Sequence, residues 1–325
     1  MRVPLSLLAL SIAFAAPISA NALNIVISND DGLSTNVKAL QSALLAAGHD
    51  VVVSVPCQNQ SGKGAAVNFL TPITPLTKAC RNDAAPVGAA GVGPIAGLSN
   101  AFYVDGTPIM ALMYGLDIAA IQRWGKAPDL VISGPNEGQN IGSIVISSGT
   151  VSNAQFALIR GIPAIAVSAD ANTTDNPTLA AEAASLTLKL VAVLEQQKSH
   201  KTALLPSGYA LNVNYPKFAA GESSKLPWSL TRFGNFDAYE TKFTEDLGAD
   251  PVAAAYGLGN YHFPGVTLYP HSADEATRQT DPRSEALLSL KGYVTVTPMQ
   301  FGYEATPDGA ARLERCLNKS LMSRK

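Results

Sequence analysis

The chain has 325 residues, of which 47% are hydrophobic and 15% charged, and its formal net charge is −2. That length allows one large α/β domain or two smaller ones with a sizeable core. No basic surplus points to duplex nucleic acid, and no block of like charge points to a disordered tail.

Residues 1–22 read as a signal peptide. Arg2 supplies a short positive region, and Leu5 to Ala16 is an apolar stretch too short to span a bilayer. Ala20-Asn21-Ala22 fits small-x-small cleavage after Ala22, and Ile18-Ser19-Ala20 offers a cut after Ala20. The expectation is an exported protein, periplasmic or secreted, whose mature chain spans 23–325. No later segment is expected to cross a membrane. Ala180 to Leu194 comes closest, but Glu182 and Lys189 interrupt it.

The first strand is expected over Leu23 to Ser28. Val37, Leu40, Leu44 and Ala47 then share one helical face, which Gly48 ends. Val51 to Val55 is a β-branched second strand, and Ala84 to Gly97 a small-residue loop. Ala101 to Val104 is a short strand, Pro108 to Ile121 a helix, Leu130 to Ser133 a strand and Thr150 to Arg160 a helix. Ile165 to Ser168, the helix Leu179 to Glu195 and the strand Tyr209 to Val213 complete a core of about 23–216. Near-continuous apolar strands separated by helices predict an α/β fold: a parallel sheet with helices on both faces, in three layers. Residues 217–290 lack a period and are rich in Gly, Pro and aromatics; they are read as irregular excursions that serve oligomerisation. Tyr293 to Pro298 returns to strand, and Ala310 to Met322 is the expected terminal helix. The C-terminal extension is thus about 217–325 of a single domain.

Ligands of an open parallel sheet bind beyond the carboxyl ends of its strands. The segments found there are Asn29-Asp30-Asp31-Gly32, Gln58 to Gly64, Asp105-Gly106-Thr107-Pro108, Gly134 to Asn140 and Ser147-Ser148-Gly149-Thr150. All are rich in oxygen donors and glycine, and the topology sends them to one edge. Two adjacent buried carboxylates repel and are costly to desolvate. A hard divalent cation such as magnesium or manganese removes that repulsion with oxygen ligands alone. A turn with a helix N-cap explains Asp30-Asp31-Gly32 equally well from composition.

The chain resembles the SurE stationary-phase survival family of metal-dependent phosphatases. The likeness rests on Asn24 to Gly32, Asn59-Gln60-Ser61-Gly62, Asp105 to Pro108, Ile132 to Gly142, Ser148 to Val151, Gly161 to Ser168, Asn212 to Pro216 and Gly292 to Pro298, in the family's order. The resemblance implies a Rossmann-like fold, hydrolysis of phosphate monoesters such as nucleoside monophosphates, and dimers or tetramers. It implies one divalent cation, Mg2+ or Mn2+, held by Asp30, Asp31, Ser61 and Asn136. Asn140 and the turn Ser148-Gly149-Thr150 are then phosphate contacts, which a helix N-terminus also suits on physical grounds. The chain departs from the family at Ser147, where a tyrosine is usual, at Phe156, where many members carry glutamate, and at Lys63-Gly64-Ala65-Ala66, often serine-rich. Glu137 stands beside Asn136.

Lys63 is read either as a point charge for the phosphate or as an exposed loop lysine. Ser61-Gly62-Lys63-Gly64 lacks the first glycine of a Walker A loop, and Gly91-x-Gly93-x-x-Ala96 follows no strand and is read as loop. His49, His200, His262 and His271 show no metal spacing; His49 is read as a surface turn residue. Trp124 and Trp228 are assigned to packing, and Phe233, Phe236 and Tyr239 to an interface. Cys57, Cys80 and Cys316 allow one disulfide in three pairings. The functional reading is an exported, metal-dependent phosphomonoesterase acting on a nucleotide or another small phosphorylated substrate. Asp30 and Asp31 hold the metal and Asp30 also accepts or orients a proton, while Asn136, Asn140 and Thr150 balance phosphoryl charge. The alternatives are a catalytically weak binder of phosphorylated ligands and an exopolyphosphatase.

Overall fold

Strand β1 (Asn24–Ser28) is flanked by apolar residues on both faces. Ile25 and Ile27 enter one buried cluster and Val26 the other, which is the alternation a strand imposes. The same division recurs in β2 (Asp50–Pro56), where Val51, Val53 and Val55 oppose Val52, and in β5 (Leu130–Glu137), where Leu130 and Ile132 oppose Val131. A sheet buried on both faces selects such runs. The computed structural model describes residues 22–198, 203–234, 239–270, 281–302 and 310–311. The expected signal peptide, up to residue 21, lies outside the described residues. So do His200, His271, Phe236, Cys316 and, beyond residue 311, the expected terminal helix.

The remaining strands are β3 (Val92–Pro94), β4 (Ala101–Val104), β6 (Ala164–Ala169), β7 (Tyr209–Tyr215), β8 (Trp228–Leu230), β9 (Tyr239–Thr244), β10 (Gly265–Pro270) and β11 (Val294–Gln300). Nine of them form one sheet in the order β3-β4-β2-β1-β5-β6-β7-β11-β8. The interior strands from β4 to β7 pair in parallel; β3 runs antiparallel to β4, and β11 antiparallel to β7. The sheet is therefore mostly, not wholly, parallel. Helices α1 (Thr35–Ala46) and α5 (Pro177–Lys198) pack together on one face, with Leu40, Leu44, Ala183 and Val191 in the first cluster. Helices α2 (Pro108–Tyr114), α3 (Ala120–Trp124) and α4 (Gly149–Ile159) cover the other face through Leu112, Ala120 and Ala154.

Several sequence expectations need correction. Helix α5 is longer than expected and, by length and composition, apolar enough to cross a membrane from Pro177 to Gln197. In the fold its Leu179, Ala183, Ala184 and Val191 bury one side against the sheet, which accounts for the apolar content. Strand β5 does not stop at Ser133. It continues through a cis Gly134–Pro135 bond and a register shift to pair Asn136 with Ser168. The expected loop 84–97 contains β3, whose Gly93 pairs with Tyr103. His49 is buried, and its Nδ1 accepts the Leu23 N–H at 3.3 Å; burial pushes the imidazole below its ordinary pKa. Of the possible cysteine pairings, Cys57–Cys80 is formed. The irregular C-terminal region contributes β8 and β11 to the main sheet, and β9 and β10 form a separate antiparallel hairpin.

Candidate active site

Strands β1 and β5 are neighbours, yet the chain winds from β1 toward β2 on one side and from β5 toward β6 on the other. The carboxyl ends of β1 and β5 therefore border the crevice where strand order reverses, the usual ligand position in such sheets. Asp30 and Asp31 follow β1, and Asn136 lies at the end of β5. Gly32 turns the chain away at φ +81°, a backbone region that favours glycine. Asn29 Nδ2 donates to the Gly32 carbonyl at 2.7 Å, and Ser34 then caps α1 by accepting the Val37 N–H.

Asp30 and Asp31 are 3% and 2% exposed. Thr150 Oγ1 lies 2.8 Å from Asp30 Oδ1 and 3.1 Å from Asn136 Oδ1, so one hydroxyl joins the two strand ends. Backbone N–H groups of Gly149 and Thr150, at the start of α4, also bond Asp30. Asn136 is oriented from its other side, because its Nδ2 donates to the Gly138 carbonyl at 2.8 Å. Its amide oxygen is thereby turned toward the Thr150 hydroxyl, which also bonds Asp30. Asp31 Oδ2 accepts the Glu137 N–H at 3.0 Å, and Oδ1 faces Asn59 Nδ2 at 3.4 Å. The Gln60 N–H donates to the Asp30 carbonyl at 2.7 Å and Ser61 N–H to Asn59 Oδ1 at 2.8 Å. The loop carrying exposed Ser61 is therefore tied to both acids.

Burial raises the pKa of Asp30, against the bonds from Thr150 and the helix start. It raises that of Asp31 further, because the charges of Asp30 and Glu137 add to burial; the Glu137 N–H and the Arg81 charge oppose. Two carboxylates so placed are poorly served by the protein alone. The surrounding donors are oxygen atoms of acids, an amide and hydroxyls, the set a hard divalent cation takes. Among the described residues no group of three or more His, Cys, Asp or Glu side chains gathers into a metal cluster. Any cation here would rest on the two acids with neutral oxygens.

The other expected site residues have internal partners. Ser148 Oγ accepts the Val151 N–H as N-cap of α4. Thr150 is fully buried and spends its hydroxyl on Asp30 and Asn136. Asn140 is buried, and its Nδ2 donates to Ser168 Oγ at 2.8 Å. Lys63 is exposed and lines a polar cleft of about 380 Å3 with Gln60, Asn68, Asp105 and Thr107, and Gln60 ties that cleft to Asp30 through its N–H. Phe156 and Phe233 line an apolar cavity of about 680 Å3 beside α4, with Val151, Met299 and Phe301. Trp228 packs edge-on against Tyr215 at 6.4 Å, and Trp124 packs on the second core cluster.

Sequence reasoning missed Arg81. Its Nη2 grips both Glu137 carboxylate oxygens at 3.0 and 2.8 Å, and its Nη1 donates to the Asp31 carbonyl at 2.9 Å. The signal was covalent. Arg81 follows Cys80, and Cys57 precedes the loop that carries Ser61, so the Cys57–Cys80 bond delivers Arg81 to the site. Asn153 was missed too; from α4 it donates to Ser28 Oγ and the Asn29 carbonyl, bracing the end of β1.

Comparison with known proteins gives a consistent picture. The family model described as "Survival protein SurE" matches residues 25–239. A 5'-nucleotidase SurE of Gloeobacter violaceus is 31% identical over 88% of this chain and 92% of its own length. An acid phosphatase of Yarrowia lipolytica is 35% identical over 59% of this chain and 56% of its own. The crystal structure of the SurE protein from Aquifex aeolicus superimposes with a TM-score of 0.65 at 26% identity, covering 91% of this chain and 98% of that one.

Proposed function

This chain belongs to the survival protein SurE family, and from that premise we propose that it is a divalent-metal-dependent phosphomonoesterase working at Asp30, Asp31 and Asn136. Hydrolysis of a phosphate monoester is the activity its nucleotidase and acid phosphatase relatives share by name. Nucleoside monophosphates are the first substrates to consider. The observation that carries the reading is the pair of almost fully buried acids joined through Thr150 to the Asn136 amide oxygen, an arrangement with no structural need for two adjacent charges.

Asp30, Asp31, Ser61 and Asn136 would hold the cation, Mg2+ or Mn2+. When bound, such an ion supplies charge to a phosphoryl oxygen and lowers the pKa of a water. The chain does the rest. The helix start and the Thr150 hydroxyl bond Asp30 and favour its ionised form, which suits it to orient a water and accept its proton. Asp31 is held in register by the Glu137 N–H, with Arg81 neutralising Glu137 behind it. Asn140, Ser148 and Gly149 support phosphate binding through the shape of their backbone, since their side chains are engaged or absent. Lys63 remains the one proposed cation for an approaching phosphate.

Export to the periplasm or outside the cell fits the expected signal peptide and the Cys57–Cys80 disulfide, because such bonds persist in oxidising compartments. A homodimer or homotetramer fits the β9–β10 hairpin, whose Phe243, Val266 and Leu268 are exposed apolar side chains. The deciding experiment is phosphate release from a panel of nucleoside monophosphates and simple aryl phosphates, with manganese and with chelator. Turnover with manganese and silence in chelator support the reading. Full turnover in chelator, or none of any monoester, overturns it.

A further inference from the structure

Glu285 opens the short helix Glu285–Leu290 and is completely buried. A carboxylate there is costly unless donors satisfy it. Gly142 N–H donates to Oε1 at 3.2 Å, Asn212 Nδ2 to Oε2 at 3.2 Å and the Thr297 hydroxyl to Oε2 at 2.7 Å. The Thr231 hydroxyl lies 2.7 Å from that of Thr297 and can donate to it in turn. The elements packed on this carboxylate thus present only neutral donors: β7 through Asn212, β11 through Thr297 and the turn through Gly142. From the remaining side, Arg232 offers its carbonyl to the Glu285 N–H, and its guanidinium turns outward to Asp281. Three donors converge on the carboxylate, and of the three only the Thr297 hydroxyl could also accept a bond from an added proton, so the socket suits the ionised form.

One of these donors also reaches the Asn140 loop. Asn212 Nδ2 also donates to the Asn140 carbonyl at 2.9 Å, and Asn214 both accepts the Asn140 N–H at 2.7 Å and donates to its carbonyl at 3.1 Å. The backbone from Asn136 to Gly142 is therefore held at its start by the Asn136–Gly138 bond, in its middle by Asn212 and Asn214, and at its end by Glu285. Gly142 then leads through the turn Gly142–Ile146 into Ser148, Gly149 and Thr150. Glu285 lies outside the 25–239 stretch that matches the family model.

We propose that Glu285 is a positioning residue: as a carboxylate it fixes the Asn140–Gly142 backbone and, through it, the spacing between Asn136 and the Gly149–Thr150 turn. The inference rests on the phosphomonoesterase reading for its catalytic consequence. It makes activity sensitive to a group far from the two acids. Burial raises the Glu285 carboxyl to about 7, against the bonds from Thr297, Gly142 and Asn212. Protonation in that range removes acceptor capacity from the socket and loosens the turn.

The test compares wild type with Glu285→Gln, which keeps shape but presents an NH2 group to a cluster of donors. Steady-state kinetics with an aryl phosphate and manganese are measured across pH 6 to 9, alongside amide hydrogen exchange of peptides over 138–146. The expected result is faster exchange at 138–146, a fall in kcat of about tenfold at pH 8 with the manganese requirement little changed, and loss of the acid limb near neutrality. A merely structural role would lower the melting temperature but leave kcat per folded molecule and its pH profile alone, and that result overturns the proposal. So does unchanged exchange. Should the variant not fold, Thr297→Val removes one donor and must move the acid limb to higher pH; an unmoved limb refutes the idea. Wild type inactive on every monoester would sink the phosphomonoesterase reading and the catalytic half of this proposal, while exchange in Glu285→Gln would still decide whether Glu285 holds the turn.

Discussion

A β-carbon on Gly149 would stand 2.6 Å from the Asp30 β-carbon and 3.0 Å from its Oδ2. The helix start and Asp30 are in contact only because residue 149 has no side chain. Asp30 is therefore held by the α4 terminus as well as by its own strand.

Gly149→Ala should push Asp30 off the Gly149 and Thr150 N–H groups. Overpacking of this kind costs about 1–3 kcal/mol, and displacement of a reacting group by an ångström costs on the order of a hundredfold in rate. The expectation is a folded protein, a few degrees less stable by calorimetry, with kcat down ten- to a hundredfold. Wild-type kcat in this variant would remove Asp30 from the mechanism.

The two acids predict an unusual pH dependence in chelator. Both folded-state pKa values are raised above their ordinary ones. The folded chain thus binds more protons than the unfolded one, so stability is fully present below the ordinary carboxylate range. It is lost as pH rises through the raised values. Thermal melts of the chelated protein should show a falling melting temperature over that window. Asp31→Asn should flatten the fall, because Asp31 carries the larger shift. In activity assays Asp30→Asn should nearly abolish turnover, and Asp31→Asn should be partly rescued by excess manganese. A melting temperature that rises across the window contradicts the assignment.

The disulfide predicts a redox effect at the site. Cys57 and Cys80 are 23 residues apart, and a cross-link closing a loop of that size stabilises by about 3 kcal/mol in the chain-entropy account. Reduction should lower the melting temperature by several degrees. It should also lower activity, since Arg81 loses the tether that holds it on Glu137. Arg81→Met isolates that second effect. Without the Arg81 charge the pKa of Asp31 rises further, so the manganese concentration needed for half-maximal rate should rise, most at the acid end of the range, while the disulfide stays intact. An unmoved manganese requirement would make Arg81 a surface contact.

Export predicts a shortened chain. N-terminal sequencing of protein from the native host should begin at Asn21 or Leu23. Leu23 is buried and its N–H bonds His49, so a cut at either point leaves the first strand complete. An intact Met1 on protein from the cytosol rules the export reading out.

The site's framework was legible because its parts are local. A β-branched run ending in Asp30-Asp31-Gly32, and a second ending before Asn136, announce two strand ends by composition alone. What stayed hidden depends on partners distant in sequence. Gly134-Pro135 looks like a break, yet β5 absorbs it with a register shift because β6 continues alongside. His49 looks like a turn residue, yet it is buried and bonded by the Leu23 N–H at the foot of the first strand. Arg81 reaches Glu137 only once the Cys57–Cys80 pairing is known. Glu285 falls in the stretch read as irregular, and only three donors from three separated segments explain its burial.

Strand β11 pairs with β7, although 78 residues separate Tyr215 from Val294 in sequence terms and the whole hairpin arm lies between them. During synthesis β7 emerges with one edge bare and waits for the last of the described strands before its hydrogen bonds are filled. Asn212, on that edge, likewise waits for Glu285 and Thr297. For a chain exported unfolded, as proposed here, such a delay is useful, because the sheet stays incomplete until β11 has been made. The same wait leaves an interval in which two nascent copies can pair their bare edges, so rapid overproduction should favour tangled oligomers over slow, export-coupled folding.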